Sequence, residues 1–391
     1  MQQEKLITFH KRFYMRINEI HVYRIAIPFS WEVTHNLFNG TETEAIVVVA
    51  KDDSGLMGYG EGTPRVFVTG ETLADTIEAT QSLATRLIGT EFHTFNGLVD
   101  CLETIGSLKL GQLNPSALCA LELATLDLWG KREGLPLWRL FSQKPVSNPY
   151  VYSAVLPMLP EKPFLELLNL VQKLQQKFIK LKIADRDGGI SALKLVREVL
   201  GPEVDLRVDC NGAFSPEEAI AFVEEAQLFK ISAIEQPVAK ADISGLGFVS
   251  NRSMVPVIAD ESICTLEDAA HLIEHKICQG FSIKLSKCGG LLKSLKLLDI
   301  ARKNGILCQI SCHIGETAIL ASAGRHLYAL SQQCTYLEGS FSKYLLKEDI
   351  ATRDVSFGLK GHAHLLTGPG LGIEVDESIL KRWSYPLSSE C

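Results

Sequence analysis

Hydrophobic and polar positions repeat one unit between Phe178 and Glu338: a short apolar strand, an ionisable residue at its end, and then a helix. The strand ends carry Lys182, Asp209, Glu235, Asp260, Lys284, Cys312 with His313, and Glu338. The first five of these are spaced by 27, 26, 25 and 24 residues, about the length of one strand and one helix. Strands that alternate with helices at this spacing favour a parallel sheet, and about seven units without a second block of strands favour a closed barrel.

Helix start signals agree with this repeat. Ser215 is followed by a proline and, three residues on, by Glu218, and Thr265 has Asp268 at the same offset. Both patterns are typical of capped helix N-termini. The alternation of strand and helix is thus indicated by two independent signals.

The chain before the repeat has a different pattern. From Met15 the sequence predicts antiparallel strands joined by an Asp-Asp-Ser-Gly turn at 52–55, followed by helices over 72–87 and 115–133. We predict four parts: a loose N-terminal extension over 1–14, an α+β capping domain over 15–145, a catalytic barrel over 146–345, and a segment over 346–391 that returns to the capping domain. The first 14 residues lack the apolar core of a signal peptide.

Composition limits the possible partners and the compartment. A net charge of -7 and a pI near 5.9 argue against a nucleic-acid or anionic-membrane partner, and no stretch is long enough to span a bilayer. Ten cysteines are scattered without a CxxC pair, which favours reduced thiols and predicts a cytoplasmic protein. A zinc site of Cys308, Cys312 and His313 is disfavoured because alternation along one strand does not bring all three together.

Carboxylates at consecutive strand ends predict a metal site. The C-terminal strand ends of a barrel share one rim, so Asp209, Glu235 and Asp260 would surround one cavity. Three carboxylates repel one another unless a cation holds them, and oxygen ligands favour Mg²⁺. Asn211 and Glu261 are candidates to support these ligands. The alternatives are that Asn211 belongs to an ordinary Asn-Gly turn and that Glu261 caps a loop.

Lysines flank the three acids along the chain. Lys180 lies two residues before Lys182, so both point into the barrel. A partly desolvated lysine near other cations has a lowered pKa and can accept a proton. Lys284 faces them from the sixth strand, and we expect Lys287 in the loop beyond. A divalent metal between two lysines predicts removal of a proton α to a carboxylate, with the metal stabilising the enediolate.

Five segments together resemble one known family. The segments KLK, DCN, EQP, ADES and IKLSKCGG are similar to those of the enolase superfamily, in its muconate-lactonizing-enzyme subgroup, and the match runs from Met15 to Gly372. The resemblance implies an α/β fold, a modified (β/α)7β TIM barrel with an N-terminal α+β capping domain. It also implies Mg²⁺, with Mn²⁺ as a possible substitute, on the three acids. Lys182 and Lys284 would be the acid/base pair on opposite faces of a small carboxylate substrate, with Lys180 tuning Lys182, in a homo-oligomer.

Departures from the family pattern concern the substrate. Dipeptide epimerases carry an Asp-x-Asp after strand eight that would hold the substrate amino group, whereas this chain reads Tyr-Leu-Glu-Gly over 336–339. Either Glu338 does part of that work or the substrate has no free amine. His313 and Glu316 are further candidates for specificity. Arg65, in a loop of the capping domain, is expected either to clamp a second substrate carboxylate or to be a surface arginine.

Three classes of function remain open at this point. The leading one is racemisation or epimerisation of an N-acyl amino acid or dipeptide-like acid, because two lysines suit proton removal on one face and return on the other. The second is a cycloisomerase or lyase, including an o-succinylbenzoate synthase-like enzyme, that uses the same lysines. The third is a Schiff-base barrel enzyme with Lys182 or Lys284 as nucleophile.

Overall fold

The computed structural model describes residues 14–35, 37–108, 114–146 and 148–385, so the predicted extension lies outside the described residues except for Tyr14. The first part of the chain forms β1 (Met15–His35), β2 (Phe38–Asp52), β3 (Met57–Gly62), α1 (Val66–Thr69), α2 (Leu73–Ala84), β4 (Glu91–Phe92), α3 (Phe95–Gly106), α4 (Pro115–Glu133) and α5 (Leu137–Phe141). Strands β1, β2 and β3 are antiparallel neighbours, and the turn at 52–55 joins β2 to β3 as predicted.

Glycines on β3 let a helix lie directly on the sheet. Gly58, Gly60 and Gly62 alternate along the strand and share one face. A Cβ on Gly60 would lie 2.0 Å from the carbonyl oxygen of Ala120 in α4, and the other two positions would clash with carbonyls one turn away on either side. Only glycine allows this backbone contact, which fixes the predicted helix over 115–133 against the capping sheet.

The barrel follows, and one or two helices separate each strand of its parallel sheet from the next. The elements of this part are β5 (Tyr150–Val151), β6 (Ala154–Leu156), α6 (Glu161–Lys173), β7 (Phe178–Lys182), α7 (Arg186–Leu200), β8 (Asp205–Asp209), α8 (Pro216–Ala226), β9 (Ala233–Glu235), α9 (Ile243–Ser250), β10 (Val257–Ala259), α10 (Leu266–Glu274), β11 (Gly280–Ile283), α11 (Leu285–Cys288), α12 (Leu291–Lys303), β12 (Leu307–Ile310), α13 (Ala318–Leu330) and β13 (Tyr336–Leu337). Strands β6 to β13 pair in parallel in chain order, and the bridge between Tyr152 and Leu337 joins the two ends of the sheet. The predicted fold class is confirmed.

Local signals explain where the barrel helices begin. The Ser215 hydroxyl accepts a hydrogen bond from the backbone N–H of Glu218, whose side chain returns to the Ser215 N–H, and Thr265 and Asp268 do the same for α10. Each reciprocal cap satisfies backbone donors that the first turn leaves without partners. The predicted helix starts are confirmed.

After β13 the repeat ends. The remaining elements are α14 (Ser342–Leu345), β14 (His362–Ala363), α15 (Glu377–Arg382) and β15 (Ser384–Tyr385). Strand β15 pairs with β1 of the capping sheet, with Arg24 opposite Tyr385. The domain boundaries given above stay a prediction. No described helix is long and apolar enough to cross a membrane.

Two buried glutamates of the capping domain cap helices of the barrel. Glu61 accepts hydrogen bonds from the N–H groups of Thr317 (3.0 Å) and Leu320 (3.1 Å) at the start of α13. Glu122 accepts from the N–H groups of Leu291 and Leu292 at the start of α12. The two helices follow the sixth and seventh barrel strands, so these caps tie the capping domain to the part of the rim that carries Lys284 and His313.

The stability of the protein should fall as the pH rises through the range in which these glutamates titrate. Burial raises the pKa of both Glu61 and Glu122 to about 7 from an ordinary value of 4.5. Between these two values the folded chain binds more protons than the unfolded chain, so the free energy of unfolding decreases with increasing pH. Urea unfolding at pH 5 and pH 8 measures the difference. Glu122→Gln should reduce it by up to about 3 kcal/mol.

The exposed Glu78 of α2 offers a matched control for this experiment. Glu78→Gln makes the same chemical change on the protein surface, and it should leave the dependence of stability on pH as it is in the natural chain. An unchanged dependence in Glu122→Gln would show that this carboxyl is ionised in the folded protein throughout the range.

Candidate active site

Three acids meet at the rim of the barrel. Asp209, Glu235 and Asp260 stand at the ends of β8, β9 and β10, the third, fourth and fifth barrel strands, and all three are buried. Each contributes one carboxylate oxygen to a group whose atoms lie within 4.8 Å of one another. It is the one such group of three metal-ligating side chains in the part of the chain that the structure describes. The three acids therefore converge, as the sequence predicts.

The chemistry of this group fits a hard divalent cation. Glu235 Oε1 is buried and has no hydrogen-bond partner among the described residues. Burial, together with the Asp209 carboxylate, raises the pKa of Glu235 to about 7 even though Lys180 lies beside it. Mg²⁺ prefers oxygen ligands, and these three carboxylates offer only oxygen atoms. A bound cation would also relieve their mutual repulsion and give Glu235 Oε1 a partner. Asp209, Glu235 and Asp260 would hold it.

Lys182 and Lys284 lie on opposite sides of the cavity. They end the second and sixth strands of a closed eight-stranded barrel, four strands apart in either direction. Lys182 Nζ lies 2.7 Å from Asp209 Oδ2, and Lys284 Nζ lies 2.6 Å from Asp260 Oδ2. Burial lowers the pKa of Lys284, but the nearby Asp260, Glu261 and Glu235 carboxylates more than reverse this, so its pKa is raised. The Lys284 ammonium is thus stabilised by the carboxylates around it.

Asn211 and Glu261 join the first lysine to the acids. Asn211 Oδ1 accepts from Lys182 Nζ at 2.8 Å, and its Nδ2 donates to Glu261 Oε1 at 2.9 Å. The backbone N–H of Asn211 donates to Asp209 Oδ1, and Asn211 itself has a left-handed φ of 43°. Asn211 also lies in the Asn-Gly turn considered above, since the Ala213 N–H donates to the Cys210 carbonyl at 3.0 Å and Gly212 too has a positive φ, a conformation that this residue pair favours.

A chain of buried ion pairs runs below the rim. Lys180 Nζ contacts Glu235 Oε2 at 2.9 Å and Glu338 Oε2 at 2.6 Å, and Arg207 donates to Glu338 Oε1 at 3.0 Å. The Arg207 guanidinium also lies 3.6 Å from the centre of the Tyr336 ring. Burial lowers the pKa of Lys180, and its three carboxylate neighbours raise it well above the ordinary value, so Lys180 is a fixed cation.

Sequence reasoning missed three side chains that position the acids. Gln236 accepts from the N–H of Asp260 at 2.9 Å, and Gln309 donates to Glu235 Oε2 at 2.8 Å. Lys287 lies in α11 and is fully buried; its Nζ lies 2.8 Å from Asp260 Oδ1. The expectation that Lys287 lies in a loop is wrong, because the chain turns into a short helix directly after Lys284. The signal for Lys287 was its spacing of three residues from Lys284, one helical turn.

A cavity of about 430 Å³ lies above the acids and between the two lysines. Its wall contains Lys180, Lys182, Asn211, Glu261, Lys284, Arg65, His313 and Glu338, so most of the predicted site residues surround one space. Trp31 and Phe67 of the capping domain also line it. The arrangement can hold a small anion between two lysines.

The predicted specificity residues have defined partners. The Arg65 guanidinium is buried and donates to the carbonyls of Glu44 and Ile314, so the surface interpretation of Arg65 is wrong. His313 Nδ1 lies 3.0 Å from the Thr63 carbonyl oxygen, while its Nε2 has no partner among the described residues. Burial holds the pKa of His313 well below its usual range, so the ring is neutral.

Glu316 stabilises the loop that carries His313 through a hydrogen bond to its backbone. Its Oε1 accepts from the backbone N–H of His313 at 2.6 Å, and desolvation raises its pKa to about 8. Glu316 therefore holds a proton at neutral pH. Contacts of Arg65, His313 and Glu316 with a substrate stay predictions.

Comparison with known proteins places this site in a family. The N-terminal domain of mandelate racemase / muconate lactonizing enzyme matches residues 22–142, and the enolase C-terminal domain-like family matches residues 166–379, more than half of the chain. The chain belongs to the muconate-lactonizing-enzyme subgroup of the enolase superfamily. The sequence prediction of this family is confirmed.

Two of the similar proteins are an epimerase and a racemase of amino-acid derivatives. A hydrophobic dipeptide epimerase of Enterococcus faecalis is 31% identical over 364 residues, which is 92% of this chain and 99% of that protein. Its structure with Mg and the dipeptide L-Leu-L-Tyr has a TM-score of 0.85 and covers 92% of this chain and all of that one. An N-succinyl-L-Arg/Lys racemase of Bacillus cereus is 27% identical over 94% of this chain and 97% of its own.

A more distant superfamily member supports the fold alone. Muconate lactonizing enzyme from Pseudomonas fluorescens has a TM-score of 0.87 at 24% identity, and the match covers 95% of this chain and all of that one. The barrel and capping domain are thus shared beyond the epimerases and racemases.

Proposed function

We propose that this protein is a Mg²⁺-dependent racemase or epimerase that moves the proton α to the carboxylate of an N-acyl amino acid or dipeptide-like acid. The observation that carries this proposal is the position of Lys182 and Lys284 on opposite sides of one cavity, with the three acids on the strands between them. Similarity to a dipeptide epimerase and an N-succinyl amino acid racemase supports the same chemistry.

The lysines suit removal of a proton from one face and its return to the other. When bound on the three acids, Mg²⁺ would supply positive charge that stabilises the anion left by proton removal. Lys182 and Lys284 each donate to a carboxylate of that group, so a bound cation would compete with the two lysines for Asp209 and Asp260. A lysine that is neutral and no longer paired with a carboxylate would accept the proton, because a nearby positive charge disfavours its ammonium form. The other lysine, still protonated, returns one on the opposite face.

Lys180 keeps the floor of the site charged and rigid. Its three carboxylate contacts hold the ammonium in one place beneath Lys182. We propose that Lys180 tunes Lys182, since both ammonium groups contact Asp209 Oδ2, at 3.5 Å and 2.7 Å. Replacement by methionine would remove the charge while keeping much of the side-chain volume.

The other functional classes fit less well. A Schiff-base enzyme needs no divalent cation, whereas Lys182 and Lys284 both contact carboxylates of the group that fits one. The similar proteins at 27% and 31% identity are a racemase and an epimerase, so a cycloisomerase or lyase is not favoured. Substitution of Mn²⁺ for Mg²⁺, a cytoplasmic location and assembly into a homo-oligomer stay predictions.

Exchange of the α-proton with solvent deuterium should reveal the substrate class. We expect the full chain with Mg²⁺ to exchange this proton in N-acyl amino acids or dipeptides, and not in diacids that form lactones. Proton NMR in D₂O follows the loss of the α-proton signal, and a chiral separation follows inversion. A matched reaction with excess chelator is the control. Exchange confined to lactone-forming diacids, with lactone as product, would establish the cycloisomerase instead.

A further inference from the structure

The one carboxylate that the eighth strand brings to the cavity is already held by two cations. Glu338 Oε2 lies 2.6 Å from Lys180 Nζ, and Glu338 Oε1 accepts from Arg207 at 3.0 Å. All three side chains are buried. Both oxygens of Glu338 are therefore used within the protein.

The charge of Glu338 is already matched by two cations, so a third cation beside it would be uncompensated. Lys180 shares its charge with Glu235 and Asp209, both of them in the group that fits a divalent cation. Once those two carboxylates serve a metal, Glu338 is the main counter-ion of both Lys180 and Arg207. An ammonium group of a substrate placed here would be buried with no carboxylate of its own, which is costly.

The side of the barrel opposite the acids, formed by strands seven, eight and one, lines the cavity mainly with apolar side chains. The acids stand on strands three to five, so a substrate whose carboxylate faces them extends toward strands seven, eight and one. The cavity wall on that side, including the helices and loops that follow these strands, contains Leu156, Leu167, Val171, Phe341, Tyr344 and Phe357. Its polar members include His313 and the half-exposed Lys343, which pairs with Asp354 at 3.3 Å. The wall's other carboxylate, Glu261, follows Asp260 directly and binds Asn211, so it lies at the metal end. The side opposite the acids offers apolar surface and no free anion among the described residues.

We propose that the substrate is an amino acid whose nitrogen carries an uncharged, apolar acyl group, and that Glu338 positions Lys180 rather than binding a substrate ammonium. The proposal rests on the proposed function, since it takes α-proton transfer as the reaction. It separates this protein from an enzyme that acts on free dipeptides, whose terminal ammonium requires an anionic partner. The apolar acyl chain fills the side of the cavity formed by strands seven, eight and one.

Two compounds that differ only in the ammonium group test the proposal. L-Leucyl-L-tyrosine and 4-methylpentanoyl-L-tyrosine have the same carbon skeleton, but the second carries hydrogen in place of the amino group. With the full chain and Mg²⁺, the acyl compound should exchange its tyrosine α-proton with a kcat/KM about 100-fold higher than that of the dipeptide. A dipeptide rate equal to or above the acyl rate overturns the proposal while the proposed function stands. Exchange in neither compound overturns the proposed function and this inference with it.

Glu338→Gln separates the two roles of this residue. If Glu338 positions Lys180, the variant should lower kcat/KM for both compounds by the same factor, so the ratio between them stays unchanged. If Glu338 binds an ammonium, the dipeptide alone should lose activity, and this result contradicts the proposal. The comparison on the natural chain stands by itself if the variant does not fold.

Discussion

Lys182→Ala and Lys284→Ala should each lower turnover by about 10²–10⁴-fold, yet each variant should still exchange the α-proton of one enantiomer with solvent. The two lysines end strands on opposite sides of the barrel, so each faces one side of a substrate carbon between them. Removing one lysine stops inversion, but the other still takes the proton that faces it. Proton NMR in D₂O with each pure enantiomer measures the exchange, and chiral separation measures the inversion.

The exposed Lys194 of α7 provides a control for the lysine variants. Lys194→Ala removes an ammonium far from the cavity and should leave both rates unchanged. A lyase would give another pattern, because one lysine alone moves the proton there and the other can be replaced by arginine with net reaction retained. If neither alanine variant loses exchange with either enantiomer, the roles assigned to Lys182 and Lys284 are wrong.

Asp209→Asn, Glu235→Gln and Asp260→Asn should each abolish metal binding and lower activity by about 10³-fold or more. Each change removes one charge from a buried group of oxygens that lie within 4.8 Å of one another, without changing side-chain size. Titration calorimetry with Mg²⁺ measures the binding. In the natural chain, a chelator should abolish activity, and Mg²⁺ or Mn²⁺ should restore it.

The exposed Glu217 on α8 is the matched control for these variants, and Glu217→Gln should bind Mg²⁺ as the natural chain does. Asp260 also holds Lys284 and Lys287, so its loss could disturb the fold. Circular dichroism checks that the three variants remain folded. Full activity in Asp260→Asn would remove the three acids as the metal site.

Spacing along the chain was enough to predict which charged residues meet. A strand and a helix return the chain to the same rim each time, so residues 24 to 27 positions apart become neighbours. This regularity alone predicts that the three acids and the two lysines share one rim. The helix caps at Ser215 and Thr265 were equally readable, because a cap depends only on residues three positions apart.

Spacing along the chain does not predict which side chains of distant strands contact each other. Arg207 lies two residues before Asp209 and so points into the barrel, which the alternation of β8 could have shown. Its partner Glu338 lies 131 residues away, and only closure of the barrel brings the two together. For the same reason the sequence could not show that both Glu338 oxygens are occupied.

The caps supplied by Glu61 and Glu122 have a consequence for the engineering of new specificity. The capping domain carries Trp31 and Phe67 of the cavity wall, so transplanting this domain from a relative looks like a direct way to change the substrate. The same transplant would replace the carboxylates that start α12 and α13. A chimera is expected to fail unless it keeps both glutamates, and grafting single loops is the better route to an altered enzyme.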